Sequence, residues 1–80
     1  MKHVYLIRSV SHPSKTYVGS TEDLERRLNE HNQGKSEYTA RFLPWILEVV
    51  IQFKDSSKAD DFEAYLKSGS GHAFAQRHFW

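Results

Sequence analysis

Cysteine is absent from the 80 residues. That removes disulfide frameworks, thiolate metal sites and cysteine nucleophiles together. It fits a reducing compartment, and a cytoplasmic location is the expectation. Long apolar runs are missing too. Nothing approaches the roughly 18 residues of a membrane span. The opening "MKHVYLIRSV" has one lysine and a short apolar run, with no small-residue cleavage site behind it, and reads as a first strand rather than a signal peptide. Charge of one sign is also scarce: 11 Lys and Arg stand against 10 Asp and Glu, a formal net charge of +1. A dedicated nucleic-acid binder usually has a stronger basic excess, so any such contact must use a local patch or a brief engagement. Internal repeats and low-complexity segments are absent. The length implies one domain, residues 1–80. A domain this small hides only about 60% of its unfolded surface, so modest stability is expected.

What is present alternates between strand and helix patterns. "HVYLIR" (3–8) reads as a strand, with Val4 and Leu6 on one face and Tyr5 and Ile7 on the other. A polar loop broken by Pro13 leads to a second short strand, "TYVG". Ser20 or Thr21 is the expected cap of a first helix, with Glu22 and Asp23 in its first turn. That helix runs to about Asn32, with Gly34 as its stop signal. A polar connection over 35–44 ends at Pro44. "WILEVVIQF", the most apolar run, is short and β-branched, which predicts a third strand in the centre of the sheet. Ser56 or Ser57 caps a second helix over about 58–67, whose apolar stripe is Ala59, Phe62 and Leu66. Gly69 ends it, and "HAFAQRHFW" supplies a last helical turn or two packed through Phe74 and Phe79. The order β-β-α-β-α-α gives an α+β fold, a three-stranded antiparallel sheet flanked by helices.

Chemistry-bearing residues cluster at the strand-to-helix junction "KTYVGSTEDLERRLNEHN". Leu24 and Leu28 must face the core. Arg27 and His31 are one turn apart and border that stripe. Tyr17 precedes the helix directly, and Tyr5 lies on the neighbouring strand. On the second helix Glu63 flanks the inward stripe, whereas Asp60, Asp61 and Lys67 are more easily solvated. Tyr5, Tyr17, Arg27, His31 and Glu63 are therefore expected to line one cleft. Each also has an ordinary structural reading. The tyrosines suit half-buried strand positions. Arg27 can pair with Glu25 or Glu30, and Glu63 with Lys67. His31 suits a helix C-terminus. Asp55, Asp60, Asp61 and Glu63 form an acidic group, but its spacing is nothing like an EF-hand loop. His12, His72 and His78 lack zinc-ligand spacing, and "GSGH" is not a phosphate-cradling loop.

Taken in order, the motifs are more specific than any one of them. "VYL" at 4–6, eleven residues between Tyr5 and Tyr17, "YVG" at 17–19, "GSTEDLERRLNEHN", "RFLPWILEVV" and "EAYLKSGSG" together resemble the GIY-YIG nuclease family over residues 3–79. The pattern is most similar to small free-standing bacterial members, related to the nuclease module of the excision-repair incision subunit. The resemblance implies a metal-dependent DNA endonuclease using one Mg²⁺ or Mn²⁺. It places Tyr5 and Tyr17 at the two signature tyrosines, Arg27 at the helix arginine, His31 at the His or Tyr one turn later, and Glu63 at the metal-binding carboxylate. On this basis a tyrosinate of lowered pKa serves as base, Arg27 holds the phosphate, and His31 hydrogen-bonds a tyrosine or passes a proton. The chain departs from the pattern at His3, where the family has Gly, and at Val18, where Ile is usual. Ser20 stands where some members carry Lys, and the late Asn of some members has only Gln76 near its place. Without an attached DNA-binding domain, weak sequence specificity or structure selectivity is expected, with a protein partner as a source of specificity. The alternative is a degenerate module that binds nucleic acid or a protein partner without cutting.

Overall fold

The computed structural model describes residues 1–80. The chain forms β1 (Lys2–Ser9), β2 (Thr16–Thr21), α1 (Leu24–Asn32), a short 3-10 helix (Thr39–Phe42), β3 (Trp45–Phe53), α2 (Ser56–Leu66) and α3 (Gly69–His78). The sheet is antiparallel throughout, in the order β2-β1-β3. The expected α+β architecture and element order are therefore present.

β1 is the central strand, and its period-2 alternation builds a core on each face. Val4 and Leu6 are fully buried with Ala59, Leu66 and Ala75, under α2 and α3. Tyr5 and Ile7 are buried with Trp45 on the other face, where Leu24 and Leu28 of α1 pack against them. Residues 4–7 thus have no solvent-facing side, so this short strand, rather than the longest apolar run, lies in the middle.

The central position predicted for "WILEVVIQF" is incorrect: β3 is an edge strand. Its apolar residues are unequally used. Trp45 is buried, while Ile46, Leu47 and Val50 are exposed. Hydrophobic content cannot by itself say how many neighbours a strand has. The β1–β3 register skips Glu48, which turns to pair with Arg8 (Nε–Oε1 2.9 Å). A bulge and a charge are common ways of making an open edge unattractive to further strands.

The helix caps differ from those expected. Asp23, not Ser20 or Thr21, caps α1, its carboxylate accepting from the Arg26 backbone N–H at 3.1 Å. Ser20 and Thr21 remain in β2, which continues two residues past Gly19. Asp55, not Ser56 or Ser57, caps α2 by accepting from the Ser57 N–H at 2.9 Å. In both places an acid within a few residues of the candidate hydroxyls caps the helix, and its negative charge suits the helix N-terminus. Gly34, at φ 77°, reverses the chain after α1 as its stop signal predicts. Gly69 does not end α2. It opens α3, which is ten residues long rather than a turn or two, and Ser68 is its cap. The connection over 35–44 is not featureless either, since it holds the Thr39–Phe42 turn.

Candidate active site

Tyr5 is buried at the centre of the molecule, so its hydroxyl needs a partner. The partner is His31 Nε2, 2.8 Å away. His31 is itself fully buried, and its Nδ1 lies 2.8 Å from Thr39 Oγ1. The Thr39 hydroxyl donates to the Ser36 carbonyl at 3.4 Å, which leaves its oxygen to accept from His31. The network therefore assigns the proton to Nδ1 and makes Nε2 the acceptor of the Tyr5 O–H. His31 is thus an interior group rather than a solvated helix end.

Burial shapes both pKa values. It pushes the Tyr5 phenol up to about 12, while the neighbouring Arg27 guanidinium pulls weakly the other way. It pushes His31 down to about 4, and Arg27 acts in the same direction. At neutral pH the pair is Tyr–OH and uncharged imidazole. For Tyr5, burial opposes ionisation by more than the one guanidinium favours it.

Gly19 explains itself through Tyr5. The two are cross-strand partners, and a Cβ at position 19 would overlap the phenol oxygen and its ring carbon. The glycine of "YVG" is there for space rather than for flexibility.

Tyr17 lies nearer the solvent. Its ring centroid is 5.1 Å from His31 and 6.4 Å from Tyr5. Arg27, on α1, pairs with Glu30 through one nitrogen (3.2 Å) with about a third of its side chain exposed; its guanidinium also reaches the Tyr5 hydroxyl, and further N–H groups of the fork remain for a ligand. Asn32 fixes the end of this helix, accepting from the Trp45 N–H at 2.7 Å and donating to the Trp45 carbonyl at 3.0 Å.

Glu63 approaches from the other side. Strand alternation turns Tyr17 and Gly19 toward α1 and Ser20 toward α2. Ser20 donates to Glu63 Oε1 at 2.6 Å, and Lys67 donates to Oε2 at 2.8 Å. The Lys67 ammonium also lies 5.7 Å from the centre of the Tyr17 ring, which links the two halves. The five residues expected to share one cleft thus come from both faces of the sheet. Tyr5, Tyr17, His31 and Arg27 lie on one face of the sheet, Glu63 on the other, and they meet around the β2 edge. Helix phase showed which residues border each stripe but not which sheet face each helix covers.

The donor set suits a hard cation held by few protein ligands. Burial opposes ionisation of Glu63, but the Lys67 and Ser20 hydrogen bonds outweigh it and hold the carboxyl below its ordinary value. No group of three or more His, Cys, Asp or Glu residues converges anywhere, and Asp60 is committed to Lys2 at 2.7 Å. A lone ionised carboxylate, partly exposed and held by Ser20 and Lys67, offers a single ligand, which fits Mg²⁺ with most of its waters kept better than a closed zinc site. Thr39 is a site-forming residue without a sequence signal. Gly19 carried one, its place in the signature, and the Lys67–Glu63 pair expected from i,i+4 spacing is present.

These features sit on a fold that comparison assigns. The chain belongs to the GIY-YIG family: residues 1–75 match the model described as the GIY-YIG catalytic domain. It is similar to fungal proteins named "Structure-specific endonuclease subunit SLX1", at 35% identity over 94% of this chain in Candida dubliniensis. In Malassezia globosa the identity is 47% over 59% of this chain. The matched regions are 27% and 11% of those two proteins, so the chain spans a minor part of the fungal relatives' length. It is also 37% identical to a "UPF0213 protein" of Vibrio campbellii, over 80% of this chain and 61% of that protein.

Proposed function

We propose that the chain is an endonuclease that hydrolyses DNA phosphodiester bonds with one divalent cation, Mg²⁺ or Mn²⁺, held by Glu63. The observation that carries this is the convergence at the β2 edge: two phenols and an uncharged imidazole, a guanidinium with spare donors, and an ionised carboxylate reached through Lys67. Membership of a catalytic-domain family and relatives named as structure-specific endonuclease subunits support it. Because those relatives are named as subunits, we extend the proposal to structure selectivity or weak sequence specificity, with a protein partner adding discrimination.

The roles follow from position. Arg27 binds the non-bridging phosphate oxygens with its free N–H groups and stabilises the charge that grows on them. Tyr17, at the solvent edge, orients the attacking water and, as phenolate, takes its proton while the water oxygen bonds phosphorus and the P–O ester bond breaks; the resulting phenol then returns that proton to the leaving oxygen or to solvent. Tyr5 keeps its proton: burial raises the phenol and lowers the imidazole, so transfer to His31 is uphill. The Tyr5–His31–Thr39 chain is therefore a brace that fixes the ring beside Tyr17. Glu63 would hold the cation, which when bound would supply positive charge to offset that developing on the leaving oxygen.

One observation favours binding without cleavage. The Lys67 ammonium already occupies Glu63 Oε2, and a bound cation must displace or share it. Incubation with flapped, branched, single-stranded and duplex DNA, with Mg²⁺ or Mn²⁺, separates the two readings. Cleavage of any of them that is lost in Arg27→Ala supports the nuclease. Equal binding with no product under any metal supports the degenerate module.

A further inference from the structure

Beside Tyr17 a groove of about 680 Å³ runs between β2, Tyr38 and the joint between α2 and α3, with Lys67 and His72 on its wall. Its volume is in the range that takes a small molecule or one nucleotide. Tyr38 forms part of its surface and is 42% exposed. A large aromatic so exposed normally moves freely, but this one is braced. Its ring stacks on Tyr17 (centroids 6.0 Å, planes 27° apart), meets Phe42 edge-on at 5.5 Å, and lies 6.4 Å from Trp45. It is a fixed aromatic plane with solvent on its open side, continuous with the site through Tyr17.

We propose that this groove holds an unpaired nucleobase next to the phosphate that is cut, stacked on Tyr38, so that the preferred DNA carries a single-stranded arm at the cleavage point. This rests on the nuclease reading and names its substrate class. A base inside a duplex has both faces covered by its neighbours and has none to offer Tyr38, whereas an unpaired base does. Stacking of bases on aromatic side chains is the usual means of holding single strands and tolerates any sequence. The Lys67 ammonium, half exposed at the groove wall, supplies the charge that the arm's phosphate requires. A chain of formal net charge +1 has little general attraction for duplex DNA, which makes a local stacking subsite the more effective discriminator.

The test uses a duplex with a short single-stranded arm whose first unpaired base is 2-aminopurine, and a fully paired control with the same analogue. Glu63→Gln protein should quench the fluorescence of the arm and leave the control unchanged. Adding Tyr38→Leu should abolish the quench and weaken binding of the armed DNA about tenfold, with paired DNA affected less than twofold. Tyr38→Trp should keep both properties. Thermal melts of each variant separate loss of the plane from loss of the fold. Absence of the quench, or equal weakening of both DNAs by Tyr38→Leu, overturns the proposal. Cleavage of the armed DNA by the otherwise unaltered protein with Mg²⁺ is measured in parallel. Cleavage that Tyr38→Leu leaves unaltered removes the subsite but keeps the nuclease, and a Tyr38-dependent quench without cleavage keeps the subsite and removes the nuclease.

Discussion

At Gly19 a single carbon decides whether Tyr5 can occupy its place. A methyl group there meets the phenol directly, and the phenol cannot retreat because His31 holds it. Gly19→Ala should destabilise the chain by about 1–3 kcal/mol, the usual range for overpacking a tight interior. The drop should be smaller in Gly19→Ala/Tyr5→Phe, where the hydroxyl is gone, and denaturant melts of the three proteins check this. His31 gives a pH prediction with a fixed sign. Its folded pKa of about 4 lies below the ordinary 6.5, so the unfolded chain takes up the proton first. The stability this group contributes is complete above about pH 6.5 and is lost as pH falls toward 4, by at most about 3 kcal/mol. His31→Gln should be less stable at pH 7 but should lose less of its melting temperature than the parent between pH 7 and 4.5. Parallel slopes for the two would show that His31 takes up its proton in the folded state as readily as in the unfolded chain, and would contradict the buried neutral imidazole.

Among the elements, α1 does most to aim chemistry, since it carries Arg27 and His31. Its start depends on Asp23. Asp23→Ala should cost about 1 kcal/mol, measured by melts, whereas Thr21→Ala should cost less because it does not cap the α1 N–H groups. Arg27→Ala should leave stability within about 1 kcal/mol, since its pair with Glu30 is partly exposed. It should lower cleavage on the order of 10²-fold or more if it stabilises the phosphate. The same helix shows what could be read in advance. Leu24, Arg27, Leu28 and His31 are spaced by threes and fours, and that period fixed the face they share. Caps were less legible because Thr21, Glu22 and Asp23 compete for one role within three residues. The strands show a similar division. Alternation in "VYLI" was plain, but the neighbours of β3 depend on tertiary pairing that its apolar content does not encode. Thr39 and Tyr38 come from a connection with no periodicity, so nothing in the sequence pointed to them.

For the whole molecule, two thin cores share one strand. Leu6 has no exposure and belongs to the face covered by α2. Leu6→Ala should cost about 2–5 kcal/mol, a large part of the stability of so small a domain. The site lies where those two faces meet at the β2 edge, and it is complete only if Glu63 on one side works with Tyr17 and Arg27 on the other. Glu63→Gln keeps the shape and removes the charge. Asp60→Asn and Asp61→Asn serve as controls, because Asp60 is tied to Lys2 and both are exposed. The measurement is the rate of DNA cleavage against Mg²⁺ concentration for the three variants and the parent. The account predicts that Glu63→Gln still binds DNA but does not cut it at any Mg²⁺ concentration, while the two aspartate variants cut at nearly the parent rate. Cleavage by Glu63→Gln at the parent rate, or its loss in Asp60→Asn instead, would contradict it.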